Sequence, residues 1–476
     1  MKRIAIIGGG IAGLSAAYYL ERARANGADL EWTLFEKSDR FGGVIQTELR
    51  DGFVLEAGPD SFLTIKPEAA QLCRDLGLGH ELISSNDARR KTYIAVKERL
   101  VPIPDGLEFM VPTRIWPMAR TRLFSFGTKL RMVREMFASP RGGSRVGSGD
   151  ESVASFVDRH FGAEMVERVA EPLLAGVYGG DAATLSVRAV LPRFVDMERE
   201  HGSLVRATLH AHRQRARLQG KTKAPPPSLF TSLKGGMQQM VDAILAALPA
   251  PWLRLRYPVS ALRQDGDEWQ VESAEAKTSE RFHNVLLAAP ATAAAELLRG
   301  IRPELAENLD KITYTSSAAV ALAYDHLDLP PGFGFLVPRS EGHKMLACTF
   351  VHRKFPHRAP EGSALLRCFF SSSRVRGWQG YSDAALLDLA QRELTDIMGL
   401  NATPRFARVF RWACGLPQYA TGHLERVAEM EKSLSGLPGL DIIGNSFYGI
   451  GVPDCIRSGA KAAATITSAA LQPASV

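Results

Sequence analysis

The sequence predicts an α/β protein, α+β overall, built on a parallel sheet whose strands come from distant parts of the chain. Two observations carry that prediction: the chain opens as strand, glycine-rich turn, helix and strand, and it closes as strand, glycine-rich turn and helix. The opening strand is Arg3, Ile4, Ala5, Ile6 and Ile7, short, apolar and rich in β-branched residues, as a strand buried on both faces should be. It runs into Gly8, Gly9, Gly10, Ile11, Ala12 and Gly13, then into a helical stretch from Leu14 to Ala25. Gly8 suits a tight turn, Gly10 lets backbone approach a pyrophosphate, and Gly13 lets helix and strand pack closely. The helix presents free N–H groups and a positive dipole end to phosphates. A second strand, Glu31 to Phe35, ends on Glu36, an acceptor placed for ribose hydroxyls. Together these features predict a Rossmann-type dinucleotide-binding domain.

Composition bounds the rest. At ~150 residues per domain, 476 residues suggest about three domains. An apolar fraction of 45% is ordinary for globular cores, and no apolar run reaches the ~18–20 residues that span a bilayer. The chain enters its first strand at Ile4, which leaves no room for a signal peptide in this reading. Cys73, Cys348, Cys368, Cys414 and Cys455 are scattered, without CxxC or His-paired spacing, and read as reduced thiols of a cytoplasmic protein rather than disulfides or a metal site. Lys and Arg exceed Asp and Glu by seven. Much of the excess lies between Lys91 and Arg145, where Arg114, Arg120, Arg122, Lys129, Arg131, Arg134 and Arg141 interleave with Trp116, Phe124 and Phe126. Such a stretch can rest on an anionic membrane surface or meet an acidic substrate, or simply be a solvated helical face. No recognition fold accompanies it, so nucleic acid is not expected.

Beyond Ile94 strand character fades, and residues 114–217 are largely helical in spacing. Residues 219–227, ending in three prolines, form a polar break. Residues 232–238 turn into a helix; 253–255, 259–262 and 285–290 are expected to rejoin the parallel sheet. Alternating strands such as 317–324 suggest an antiparallel sheet over 293–404. Leu440 to Gly444 is the last strand, and 460–470 a closing helix.

Glu36, Lys37, Ser38, Asp39, Arg40, Phe41, Gly42 and Gly43 resemble the E-x-S-x-R-x-G-G extension of the flavin amine oxidase superfamily. The resemblance implies FAD, with Arg40 at the pyrophosphate and Gly42 and Gly43 passing close to the cofactor. Residues 53–59 look like the same superfamily's next element. Residues 444–456 open a helix whose N–H groups can face the flavin pyrimidine oxygens and favour the charge gained on reduction, or form a plain strand–turn–helix connection; their sequence is similar to that of the porphyrinogen oxidases.

Residues 176–181, Gly58-Pro59-Asp60-Ser61-Phe62, 288–291, 332–337 and Arg411-Trp412 resemble the oxygen-dependent porphyrinogen oxidases of haem synthesis, and the likeness covers nearly the whole chain. It implies an FAD-binding domain (1–62, 227–292, 405–476), a substrate domain (63–86, 210–226, 293–404) and a helical, membrane-proximal domain (87–209). It implies noncovalent FAD bound by Gly8, Gly9, Gly10, Ile11, Ala12, Gly13, Glu36, Arg40, Gly42, Gly43, Gly58, Pro59, Asp60, Ser61, Val259, Trp412, Asn445, Ile450, Gly451 and Val452. Cys414 is not expected to carry a covalent flavin. The reaction implied is a six-electron oxidation in which three hydrides pass to the flavin and O2 is reduced to H2O2, with no catalytic side chain and no metal.

Two substrates stay open. Coproporphyrinogen III has four propionates and protoporphyrinogen IX has two, and cations should meet them. Lys66 and Lys91 are candidates, with Gly176, Phe333, Leu346 and Leu366 against the macrocycle or simply in the core. Thr92, where protoporphyrinogen-type enzymes usually carry Arg, and Lys66 favour coproporphyrinogen III. The resemblance also leaves room for peripheral contact with the inner face of the cell membrane, a ferrochelatase partner, and a monomer or homodimer. An amine oxidase, a carotenoid desaturase and a noncatalytic porphyrin carrier are the competing readings.

Overall fold

The computed structural model describes residues 1–139, 149–219, 228–375 and 377–471. The polar break at 220–227, Arg141 and Arg145 lie outside them. The chain divides into two compact units: one of Met1–Ser85, Leu229–Thr313 and Leu424–Val476, the other of Asn86–Ser228 and Tyr314–His423.

The first unit holds a five-stranded sheet in the order Leu253–Arg254, Leu30–Phe35, Lys2–Ile7, Asn284–Leu287, Leu440–Ile442, and every pairing is parallel. Ile4, Ile6, Leu34 and Leu286 are fully or almost fully buried, as strands with both faces covered require. The helix Ile11–Ala25 buries Leu14, Ala16, Ala17 and Leu20, and the closing helix Val452–Leu471 packs on it. A Cβ at Gly459 would come within 2.9 Å of the Ala16 nitrogen, so only glycine permits this approach.

Two expectations change here. Residues 259–262 do not rejoin the parallel sheet: Ala261–Asp265 pairs antiparallel with Glu268–Ser273, and that strand with Thr278–Phe282. Alternate residues of the middle strand, Trp269 and Val271, are buried, the period-2 pattern of a one-faced antiparallel sheet. Phe62–Leu63 and Leu82–Ser84 both pair with Phe230–Leu233, which draws residues 63–85 into this first unit.

The second unit holds a seven-stranded sheet in the order Phe406–Pro417, Tyr314–Tyr324, Ala364–Ser371, Ala347–Phe350, Gly334–Leu336, Thr92–Val96, Arg99–Pro102. Only the pairing of Gly334–Leu336 with Thr92–Val96 is parallel. Leu386, Leu389, Leu394 and Ile397 of the helix Asp383–Met398 close over Val320, Leu322 and Leu366 on one face. Strand character does not fade after Ile94; Thr92–Val96 and Arg99–Pro102 form a hairpin. Its turn places Lys97 and Glu98 at φ of 50° and 57°, a conformation usually signalled by Asn or Gly, which is why the sequence hides it.

The helical stretch belongs by contact to this second unit, with a core that includes Leu123, Met132, Phe156, Phe161, Leu174 and Leu204. A buried polar knot ties its helices together. Glu135 accepts from the Leu204 and Val205 N–H groups, at 2.6 and 3.3 Å, and from Ser203 Oγ at 2.8 Å, so it caps the helix Leu204–Gln219. His160 lies between Glu135 (3.1 Å) and Glu198 (3.3 Å), and Arg159 joins Glu198 to Glu151. Burial opposes a charge on His160, but the two carboxylates outweigh it and raise its pKa. Burial also opposes charge on Glu198, yet hydrogen bonds from His160 and Arg159 pull its pKa down to about 2.

Candidate functional site

The glycines of the opening turn do different jobs. Gly8 has φ +114°, and a Cβ there would press on the Ala288 carbonyl; a Cβ on Gly13 would meet the Gly8 carbonyl. Both are required by the protein's own packing. Gly10 is not: its φ is −72°, and a Cβ would meet nothing within 4 Å. The space beside Gly10 is therefore open, as a cofactor passing close to the backbone there requires. It opens onto a helix with no acidic residue in its first turn and no side-chain cap. Ile11 and Ala12, both buried, start that helix. Bare N–H groups, a positive dipole end and open space suit a pyrophosphate, so the cradle fits FAD.

Glu36 braces the turn from the next strand. Its Oε2 accepts from the Gly9 N–H at 2.7 Å, and Oε1 accepts from the Ser38 N–H and Oγ at 2.8 and 2.6 Å. A carboxylate has about four acceptor positions, so capacity remains for a ribose hydroxyl. Arg40 donates to the carbonyls of Phe41, Gly43 and Ile45, which fixes the loop carrying Gly42 and Gly43. The Gly42 N–H bonds the Gly9 carbonyl at 2.8 Å, and a Cβ on Gly43 would lie 3.2 Å from the Gly10 Cα. The E-x-S-x-R-x-G-G segment thus lies directly against the phosphate turn. Val259 follows Tyr257, whose N–H bonds the Glu36 carbonyl at 2.9 Å, so that segment runs alongside Glu36. Gly58 lets residues 57–58 pass the Val44 carbonyl, and the Asp60 carbonyl accepts from Ser232 Oγ at 2.6 Å, holding Pro59, Asp60 and Ser61 in place.

Asn445, Ile450, Gly451 and Val452 lead into the closing helix, and here sequence reasoning missed the central residue. Asp454, 6% exposed, accepts from Lys66 Nζ at 2.8 and 2.6 Å, and also from Arg457. Its Oδ2 also receives the Gly451 N–H at 3.3 Å. Arg457 reaches on to Glu68 at 2.6 Å. Lys66, expected at a substrate propionate, is thus held in an ion pair. An acid three residues after a helix-capping position, here Gly451, is the available signal. Burial pushes the neighbouring Cys455 thiol up to about 12.

In the second unit Lys91 is exposed, and its carbonyl accepts from the Phe333 N–H at 2.8 Å. Leu346 packs with Ala175, Ala347, Leu336 and Phe369, and exposed Gly176 lies beside Leu336. Leu366 does not join them. It sits in the helix-covered core with Phe350 and Phe370, on the opposite face of its strand from Phe369. Trp412 lies half-buried opposite Ser317 in the strand Phe406–Pro417.

Residues 11–467 match the family model for flavin containing amine oxidoreductase. The chain is 36% identical to the coproporphyrinogen III oxidase of Bacillus subtilis, covering 97% of each. It is 30% identical to the Staphylococcus aureus protein of the same name, over 97% of this chain and 98% of that one. A crystal structure from Exiguobacterium sp. 255-15, provisionally called a protoporphyrinogen oxidase, matches with TM-score 0.85 and 30% identity over 98% of this chain and 99% of that one.

Proposed function

The chain belongs to the flavin containing amine oxidoreductases, and within that family we propose that it oxidises coproporphyrinogen III to coproporphyrin III in haem biosynthesis. The observation that carries the substrate is the end-to-end likeness to two proteins that share the name coproporphyrinogen III oxidase. Bound FAD would supply the redox chemistry, a six-electron oxidation of the porphyrinogen coupled to reduction of three O2 to three H2O2. The protein's own residues bind and orient. The Gly10 turn and the bare end of the first helix receive the pyrophosphate, and Glu36 receives a ribose hydroxyl. In the second unit, exposed Gly176 beside partly buried Leu336 offers an apolar surface to a flat macrocycle, with Leu346 buried in the packing that supports it, and exposed Lys91 is the cation assigned to a propionate. Leu366 is left out of this assignment because it faces the other core.

The test is paired kinetics on the two porphyrinogens, followed by O2 uptake and porphyrin fluorescence. The kcat/KM for coproporphyrinogen III should exceed that for protoporphyrinogen IX by about ten-fold, or ~1.4 kcal/mol. A preference for protoporphyrinogen IX would move the assignment to the other substrate. No O2 uptake with either would leave a carrier.

A specific surface favours peripheral membrane contact as well. Among the described residues no helix is long and apolar enough to cross a membrane. Phe126 (82%), Leu130 (51%), Val133 (49%) and Phe137 (78%) are nevertheless exposed at the spacing of one helical face, amid Lys129, Arg131 and Arg134. Apolar side chains would enter the headgroup region while the cations meet anionic lipid at ~1 kcal/mol each. Binding to anionic vesicles should weaken as salt is raised, and Leu130→Ser should reduce it at every salt concentration. Equal, salt-independent binding to neutral vesicles would remove the electrostatic part.

A further inference from the structure

We propose that Asp454 is a positioning residue for the flavin: it holds the Lys66 ammonium at the N-terminal end of the closing helix, and the two opposed charges offset each other at the bound cofactor, so that loss of either one alone moves its reduction potential. The proposal rests on the FAD reading above.

The site is built around the carboxylate. A Cβ on Gly449 would lie 2.5 Å from the Asp454 carboxyl carbon, and one on Gly451 3.0 Å from Oδ2. Both glycines therefore leave room for a side chain of this protein, in contrast to Gly10. Into that room Asp454 brings one negative charge, 4% exposed at the side chain. Lys66 places its Nζ on both carboxylate oxygens, and Arg457 donates to Oδ1 while pairing with Glu68. Two cations and two anions balance. Lys66 is 38% exposed and Arg457 47%, so the cations face outward and the anion is the buried partner.

This arrangement explains why a lysine is present without requiring it to read substrate. A buried carboxylate is unfavourable unless cations offset it, and Asp454 is offset by Lys66 on both oxygens together with Arg457. A helix N-terminus already favours electron density beside it. An unpaired ammonium there would strengthen that preference, and an unpaired carboxylate would oppose it. With both present, their effects on a nearby flavin nearly cancel, and the helix end acts alone.

The experiment is dye-equilibration potentiometry on the purified holoenzyme and on Lys66→Met, Asp454→Asn and the double variant. Asp454→Asn should shift the FAD potential positive, Lys66→Met should shift it negative, and the double variant should return close to the unmodified value. A clamp that merely shapes the fold has no reason to produce opposite signs. Shifts of the same sign in both single variants, or no shift in either, overturn the proposal. If Asp454→Asn fails to fold, Lys66→Met decides alone: a negative shift supports the pair and any other result overturns it. Unmodified protein that binds no FAD would overturn the cofactor reading itself, an outcome distinct from flavin bound at an unmoved potential.

Discussion

Two helices of the cofactor-binding unit begin after glycine-rich turns, and the glycines mean opposite things. At Ile11–Ala25 a Cβ on the decisive glycine, Gly10, would meet nothing, the first turn carries no acid, and the helix end is left for an anion from outside. At Val452–Leu471, Gly449 and Gly451 make room for Asp454, so the helix supplies its own anion and that anion recruits Lys66. A glycine-rich turn before a helix therefore marks close approach, and only the neighbours of the missing Cβ tell whether ligand or protein approaches.

The contrast breaks most visibly at Gly10. Gly10→Val should give colourless protein, because the side chain enters the pyrophosphate space, while Tm after FAD removal should match that of FAD-free unmodified protein, because no protein atom lies there. A variant that keeps stoichiometric FAD would show that this end is not the phosphate site. Gly449→Ala should do the reverse. Gly449 has φ +121° and its Cβ would crowd Asp454, so stability should fall by about 2 kcal/mol whether or not FAD is bound. A loss confined to the holoenzyme would mean that Gly449 too makes room for the cofactor.

A third helix start, Leu204–Gln219, sharpens the comparison with the smallest effect. There the anion is Glu135, which comes from a distant helix and is held by His160. The raised pKa of His160 means its contribution is complete below the ordinary histidine value of ~6.5 and fades as pH rises through the folded value. Glu198, depressed to about 2, has the opposite sign: its contribution is present above the ordinary carboxylate range and is lost as pH falls toward 2. Proteolysis within the helical stretch should therefore quicken at both ends of the pH range, and His160→Gln should abolish the alkaline limb and move the acid limb to higher pH, because His160 is one of the donors that depress Glu198. An unchanged alkaline limb in that variant would exclude His160 as the titrating group.

The opening strand–turn–helix–strand and the final strand were legible because each is specified by residues within a few positions of one another. Lys66 and Asp454 were not, since they are 388 positions apart and only the fold unites them. The same holds for Glu135, His160 and Glu198. The hairpin at Lys97 and Glu98 escaped for a local reason: a turn with positive φ is read from glycine or asparagine, and neither is there. For Leu366 the sequence leaves both a macrocycle contact and a core position open, and side-chain alternation along its strand decides for the helix-covered core.

Because the first strand lies between Leu30–Phe35 and Asn284–Leu287, and the last strand extends the same sheet, the dinucleotide-binding sheet is finished only when Leu440–Ile442 has been made. At roughly 5–20 residues per second, a nascent chain spends tens of seconds with one edge of its apolar first strand unpaired. The seat for FAD is thus among the first parts synthesised and among the last to become whole. Cofactor capture is thereby postponed until synthesis is nearly over, and a ribosome that stalls midway leaves a sticky, colourless fragment for the cell's quality control.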